Sequence, residues 1–97
     1  MWTDECPVEL GKDRAWYERT WVVDGDLYQT MWSVHQGGVF VAHYRNTTRH
    51  RLDGPAWRRL SSGQCEWYVN GQHVDCQSVD DPAFKRAVLK YLQEQTR

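Results

Sequence analysis

The stretch that decides the fold is "CEWYVNGQHVDC", residues 65–76. Asn70-Gly71 is the strongest short turn signal a sequence carries, because a type I′ turn needs positive φ at both central positions. With that turn in place, Val69 faces Gln72, Trp67 faces Val74 and Cys65 faces Cys76. Side chains alternate along a strand, so Cys65, Trp67, Val69, Val74 and Cys76 share one face. Glu66, Tyr68, His73 and Asp75 share the other. A ribbon with a dry side and a wet side is expected.

The same logic extends outward. Asp24-Gly25 predicts a second hairpin pairing Val22 with Leu27 and Trp21 with Tyr28. "SVHQGGVFVAHY" predicts a third, turning at Gly37-Gly38 so that Val34 faces Val41. "WRRLSSGQCEW" predicts a fourth, in which Gly63 supplies the positive φ of a bulged three-residue loop and Arg58 or Arg59 meets Glu66. Asp53-Gly54-Pro55 reads as a further turn, where proline stops a ladder. "WSVHQGG" followed by "VFVAHYRN" resembles "WRRLSSG" followed by "QCEWYVN", a weak internal repeat of about 24 residues.

The end of the chain changes period. In "DDPAFKRAVLKYLQEQ", Asp81 is placed as N-cap and Pro82 as first helical residue. Phe84, Ala87, Val88, Tyr91 and Leu92 form one apolar stripe, a helix expected to pack across the sheet. The expected fold class is α+β: consecutive antiparallel hairpins closed by one C-terminal helix. Residues 1–97 form one domain, with an irregular segment over 1–15, hairpins over 16–77 and the helix over 80–95.

At "HRLDGPA" and "WYVNGQH" the chain resembles a family, the MORN-type variant repeats of bacteriophage and some bacterial proteins. The matching residues are His50, Arg51, Asp53, Gly54, Pro55 and Ala56, then Trp67, Asn70 and Gly71, with His73 one position early. The resemblance covers about residues 50–73. It implies stacked hairpins and an interaction role without assigned chemistry. Low repeat number and the terminal helix depart from the pattern and favour a compact domain over a long solenoid. Small phage proteins of this kind commonly inhibit host machinery, so the resemblance implies an inhibitor docking on a host protein or nucleoprotein complex, as counter-defence proteins do.

Composition bounds the rest. Six Trp, five Tyr and two Phe supply a dense core to a chain of only 97 residues. Apolar runs are too short to span a membrane, and the acidic "MWTDECPVEL" lacks the basic leader and apolar core of a secretory signal. A cytoplasmic protein without membrane contact is expected.

Charge is uneven. Residues 1–26 hold seven acids and three bases, whereas residues 27–64 hold one acid, Asp53, against Arg45, Arg49, Arg51, Arg58 and Arg59. These halves either neutralise one another or present two charged faces.

Chemistry is sparse. Cys65, His73 and Cys76 fit no compact zinc spacing, and the hairpin register sends His73 away from both cysteines. Cys65 and Cys76 fall at a hydrogen-bonded pair, poorly suited to a disulfide, so reduced thiols are expected. Ser61 and Ser62 are turn residues; His35, His43 and His50 are scattered and accompany no nucleophile motif. An enzyme, a metal and a cofactor are not expected.

The expected function is protein binding through Arg45, Arg49, Arg51, Arg58, Arg59, Tyr44 and Trp57, residue types that dominate interface hot spots. Asp4, Glu5, Glu9 and Asp13 form a second candidate surface. Trp2, Trp16, Trp32 and Trp57 are expected to be partly exposed, and reversing Arg49 and Arg51 to Glu to weaken partner capture without unfolding. Single-stranded nucleic acid is the alternative partner, since arginine among aromatics on a sheet suits it. Homodimerisation through a sheet edge is a variant of the same reading.

Overall fold

The computed structural model describes residues 2–95. Seven strands and one helix follow an irregular N-terminal segment: β1 (Trp16–Val23), β2 (Asp26–His35), β3 (Gly38–Arg45), β4 (Thr48–Arg49), β5 (Trp57–Arg59), β6 (Cys65–Val69), β7 (Gln72–Val74) and α1 (Pro82–Gln95). All pairs are antiparallel, in the order β1-β2-β3-β5-β6-β7, with β4 also on β3. The fold is α+β. Among the described residues no helix is long and apolar enough to cross a membrane.

Turn chemistry sets the registers. Asp24 and Gly25 take φ of 51° and 85°, Asn70 and Gly71 49° and 85°, the left-handed pairs a type I′ hairpin requires. Val22 accordingly pairs with Leu27 and Trp67 with Val74. The ladder ends at Val74, so Cys65 and Cys76 are not a cross-strand pair; both are free thiols packed beside the core. Two registers differ from expectation. Gln36 and Gly37, rather than Gly37 and Gly38, take the positive φ values, and Val34 pairs with Val39. Gly38 is instead a buried strand residue, where a Cβ would come within 3.1 Å of Arg59 Nε. The Arg59 side chain therefore claims that glycine for close packing. The loop after β5 holds four residues, because Arg59 N–H bonds to Gln64 C=O and Gly63 N–H to Arg59 C=O. That extra residue places Trp57, not an arginine, opposite Glu66.

Strands β4 and β5 are two halves of one strand, lying between β3 and β6. His43 ties both: its C=O accepts from His50 N–H, and its N–H donates to Ala56 C=O. On the other side Arg51 N–H bonds to Tyr68 C=O and Ala56 N–H to Glu66 C=O. Between these anchors the motif residues 51–55 leave the ladder and fold back onto themselves. Arg51 closes the excursion, donating to Asp53 Oδ1 at 2.7 Å and Pro55 C=O at 3.3 Å. Gly54 is required beneath its guanidinium, since a Cβ there would lie 2.9 Å from Arg51 Cζ.

Strand alternation divides the sheet into two unequal faces. The inner face carries Thr30, Trp32, Val41, His43, Trp67 and Val69, all buried. Helix α1 covers one part of it, setting Phe84 and Tyr91 against Trp67 and Val69. Asp81 caps the helix, its Oδ1 accepting from Ala83 N–H at 2.9 Å. The N-terminal segment covers another part: Trp32 Nε1 donates to Asp4 C=O at 3.0 Å. Trp32 is thus fully buried, against expectation, whereas Trp16 is exposed and Trp2 and Trp57 are half-buried. The Cα extents are 46 × 30 × 17 Å, and the thin dimension leaves room for one layer over the sheet.

Candidate functional site: the open face of the sheet

Among the described residues the other face has no buried side chain. Register puts Met31, Ser33 and His35 of β2 beside Phe40, Ala42 and Tyr44 of β3, then Arg49, Trp57 and Arg59, then Glu66 and Tyr68 of β6, then His73 of β7. All are half-buried or exposed. Their rings form a connected surface. His35 stacks on Phe40 with centroids 4.2 Å apart and planes 6° apart; Phe40 meets Trp57 at 5.7 Å. Tyr68 meets His73 edge-on at 5.2 Å.

Two guanidinium groups lie on this surface. Arg59 sits over the Phe40 ring at 5.5 Å and Arg49 over the Tyr68 ring at 5.4 Å, both within cation–π range. Burial works against the Arg49 charge, but hydrogen bonds with Tyr44 and Tyr68 outweigh it and raise its pKa. Glu66 approaches Arg49 at 3.6 Å, a long and exposed ion pair of small energy. Between the rings is a shallow depression of about 190 Å³, lined by Met31, His35, Phe40, Tyr44, Arg49 and Trp57. Such a surface holds planar or apolar groups by stacking and anionic ones by guanidinium N–H donors.

The expected arginine cluster divides by parity. Tyr44, Arg49, Trp57 and Arg59 come together on the open face; Arg45, Arg51 and Arg58 belong to the inner one. Arg45 donates to Asp26 Oδ2 at 2.7 Å and lies over the Tyr91 ring at 5.4 Å. Arg51 is buried and bonded to Asp4, Asp53 and Pro55. It is a structural residue, and reversing it to Glu is expected to destabilise the fold, so its effect does not report on binding alone. Arg58, partly exposed, reaches Asp4 Oδ2 at 3.4 Å. Asp4 likewise departs from the expected acidic surface: it neutralises the inner arginines, while Glu5, Glu9 and Asp13 remain exposed.

Asp4 also completes a chain that nothing in the sequence spacing announces. Thr30 Oγ1 lies 2.9 Å from His43 Nδ1, and His43 Nε2 lies 2.9 Å from Asp4 Oδ1. Burial depresses the His43 pKa more than its bond to Asp4 restores it. The neutral ring donates from Nε2 to Asp4 and accepts the Thr30 hydroxyl at Nδ1. Burial opposes the Asp4 charge, yet the hydrogen bond from His43 and the Arg51 and Arg58 charges overcome it and hold its pKa down. The connectivity is that of a nucleophilic triad, but Thr30 is 1% exposed, so its hydroxyl meets no substrate. The chain clamps the N-terminal segment to the sheet.

Among the described residues no group of three or more His, Cys, Asp and Glu side chains is placed to hold a metal ion. His73 lies against Tyr68 on the open face, while Cys65 and Cys76 pack beside the inner core. Burial, then the nearby Asp81 and Asp75 charges, push the Cys76 thiol up to about 11, which suppresses its thiolate at neutral pH. Comparison with known proteins found no matching family model, no matching curated protein and no matching solved structure.

Residues missed by sequence reasoning are His35, Phe40, Met31 and Tyr68. The signal was present: Phe40 and Tyr44 have the same parity on one strand, and opposed residues share a face. Grouping arginines by closeness along the chain concealed it.

Proposed function

We propose that the protein is a non-enzymatic docking module that binds another protein through the open face of its sheet. One observation carries this reading. An uncovered face gathers His35, Phe40, Tyr44, Trp57 and Tyr68 around Arg49 and Arg59, while the remaining middle arginines turn inward to acidic partners. Rigid rings with stacked guanidiniums are the composition of interface hot spots, and two cations favour a partner surface that mixes carboxylates with apolar groups. Among the described residues this face carries two arginines, one of them opposed by Glu66, which is weakly cationic for tracking a phosphate backbone, so protein is favoured over single-stranded nucleic acid. The resemblance of residues 50–73 to phage-borne repeats supplies the biological setting: a cytoplasmic inhibitor of a host defence protein or nucleoprotein complex.

The test compares wild type with Tyr44→Ala and Arg59→Glu, using Leu89→Lys on the exposed side of α1 as control. Affinity capture from a nuclease-treated lysate is expected to retain one protein species with wild type and control, and to lose it with both open-face variants. A fluorescent oligothymidine titration runs in parallel. Capture indifferent to the open-face changes refutes the site; capture abolished by nuclease, with tight oligothymidine binding, replaces the protein partner by nucleic acid.

A further inference from the structure

The two edges of the sheet are not alike. β7 is three residues long and is followed at once by Asp75, a blunted edge. β1 is eight residues long, "WYERTWVV", and contains no proline, glycine or lysine that would discourage pairing. Its outer side pairs with nothing among the described residues. Trp16, Val22 and Val23 are 59%, 67% and 48% exposed along it.

Register identifies which backbone groups are free. Val23 and Asp26 flank a two-residue turn and form a hydrogen-bonded pair, so the odd residues of β1 bond inward to β2. Trp16, Glu18, Thr20 and Val22 therefore direct N–H and C=O outward. The geometry points to a second copy of this chain as the occupant of that edge, joined by antiparallel β1–β1 pairing about a two-fold axis at Thr20.

Overlap and charge together select the axis, since an axis at Tyr17 or Val22 pairs only one end of β1. In a two-fold antiparallel pair both copies present the same face to the same side, so each pair joins residues of equal parity. An axis at Glu18 opposes two carboxylates and an axis at Arg19 opposes two guanidiniums, both unfavourable. An axis at Trp21 sets Glu18 against the partner's Asp24. With the axis at Thr20, Thr20 meets its own copy through the outward backbone groups. Arg19 then meets the partner's Trp21, Tyr17 the partner's Val23, and Glu18 the partner's Val22. The first is a cation–π pair and the second an aromatic–β-branched pair, and none of the three sets like charges together. Exposed apolar side chains become covered, and the two open faces join into one continuous surface. The pairing does not depend on what that surface binds.

Size-exclusion chromatography with light scattering over a concentration series tests it. Wild type is expected to reach twice the monomer mass as concentration rises. Thr20→Pro removes an outward N–H without touching the β2 ladder, and is expected to weaken dimerisation at least tenfold with an unchanged far-ultraviolet circular dichroism spectrum. Val22→Glu, an exposed change that folds whether or not proline is tolerated, sets its new carboxylate opposite Glu18 across the axis and is also expected to favour monomer. Adding Glu18→Lys to Val22→Glu is expected to restore the dimer, because the ammonium introduced at position 18 then faces the carboxylate introduced at position 22 of the other copy. A wild type that stays monomeric at millimolar concentration overturns the proposal and leaves the edge to a strand from another protein. A dimer insensitive to Thr20→Pro and Val22→Glu overturns it as well.

Discussion

His50 offers the sharpest quantitative test of how this chain holds its fold. Its ring is fully buried between Trp2, at 5.7 Å, and Tyr91, at 4.6 Å. Nδ1 accepts from Asn70 N–H at 2.9 Å, so the neutral ring carries its proton on Nε2. Protonating Nδ1 destroys that acceptor. Burial, with the nearby Arg45 charge, lowers the His50 pKa from 6.5 to about 4. A shift of this size corresponds to about 3 kcal/mol. Because the folded value is depressed, the unfolded chain binds the extra proton between the two values. The contribution is therefore fully present above pH 6.5 and is lost as pH falls toward about 4. Against a total stability of about 5–15 kcal/mol for a small domain, the loss is large. Urea unfolding of wild type and His50→Gln across this range measures it. Glutamine does not titrate, so the stability difference between the two proteins is expected to narrow by about 3 kcal/mol as pH falls. A difference that stays constant, or a His50 imidazole titrating near 6.5 by nuclear magnetic resonance, rules out this role for His50.

Three further outcomes are expected. Asp4→Ala strips buried Arg51 and His43 of their shared carboxylate and should cost about 3–5 kcal/mol in denaturant unfolding, as removal of one member of a buried ion pair does. Gly71→Ala should destabilise more than Gly25→Ala: both positions have φ near 85°, but a Cβ at Gly71 would lie 2.6 Å from Thr48 Cγ2, whereas Gly25 faces open space. Equal midpoints for those two variants would contradict the close packing of β4 against the β6–β7 turn. Trp32→Ala should cost about 3–5 kcal/mol and Trp16→Ala less than about 1, since one ring is fully buried and the other largely in solvent.

Much of the scaffold is written locally. Asp24-Gly25 and Asn70-Gly71 fix two registers, because the positive φ values of a type I′ turn are available cheaply to those residues and to few others. The inward placement of Trp67 and Val69 follows from the second turn by parity alone. Asp81-Pro82 and the 84–88–91 stripe locate the helix in the same local way, although Leu92 of the expected stripe stays exposed. Local signals fail where two readings of a turn are sterically open. Gln36-Gly37 and Gly37-Gly38 compete until Arg59, from another strand, takes the space above Gly38.

The fate of the charges is settled in three dimensions. Nothing near Asp4 in sequence says that it will meet His43 and Arg51, residues 39 and 47 positions away. That meeting requires the 51–55 excursion to bring Arg51 onto the inner face and the N-terminal segment to fold across it. Its result is to withdraw one carboxylate and two arginines from what reads, in one dimension, as opposed charged surfaces. Turns and alternation are short-range steric facts, legible a few residues at a time. Which arginines remain available to a partner is a long-range electrostatic outcome, fixed when distant segments pack together.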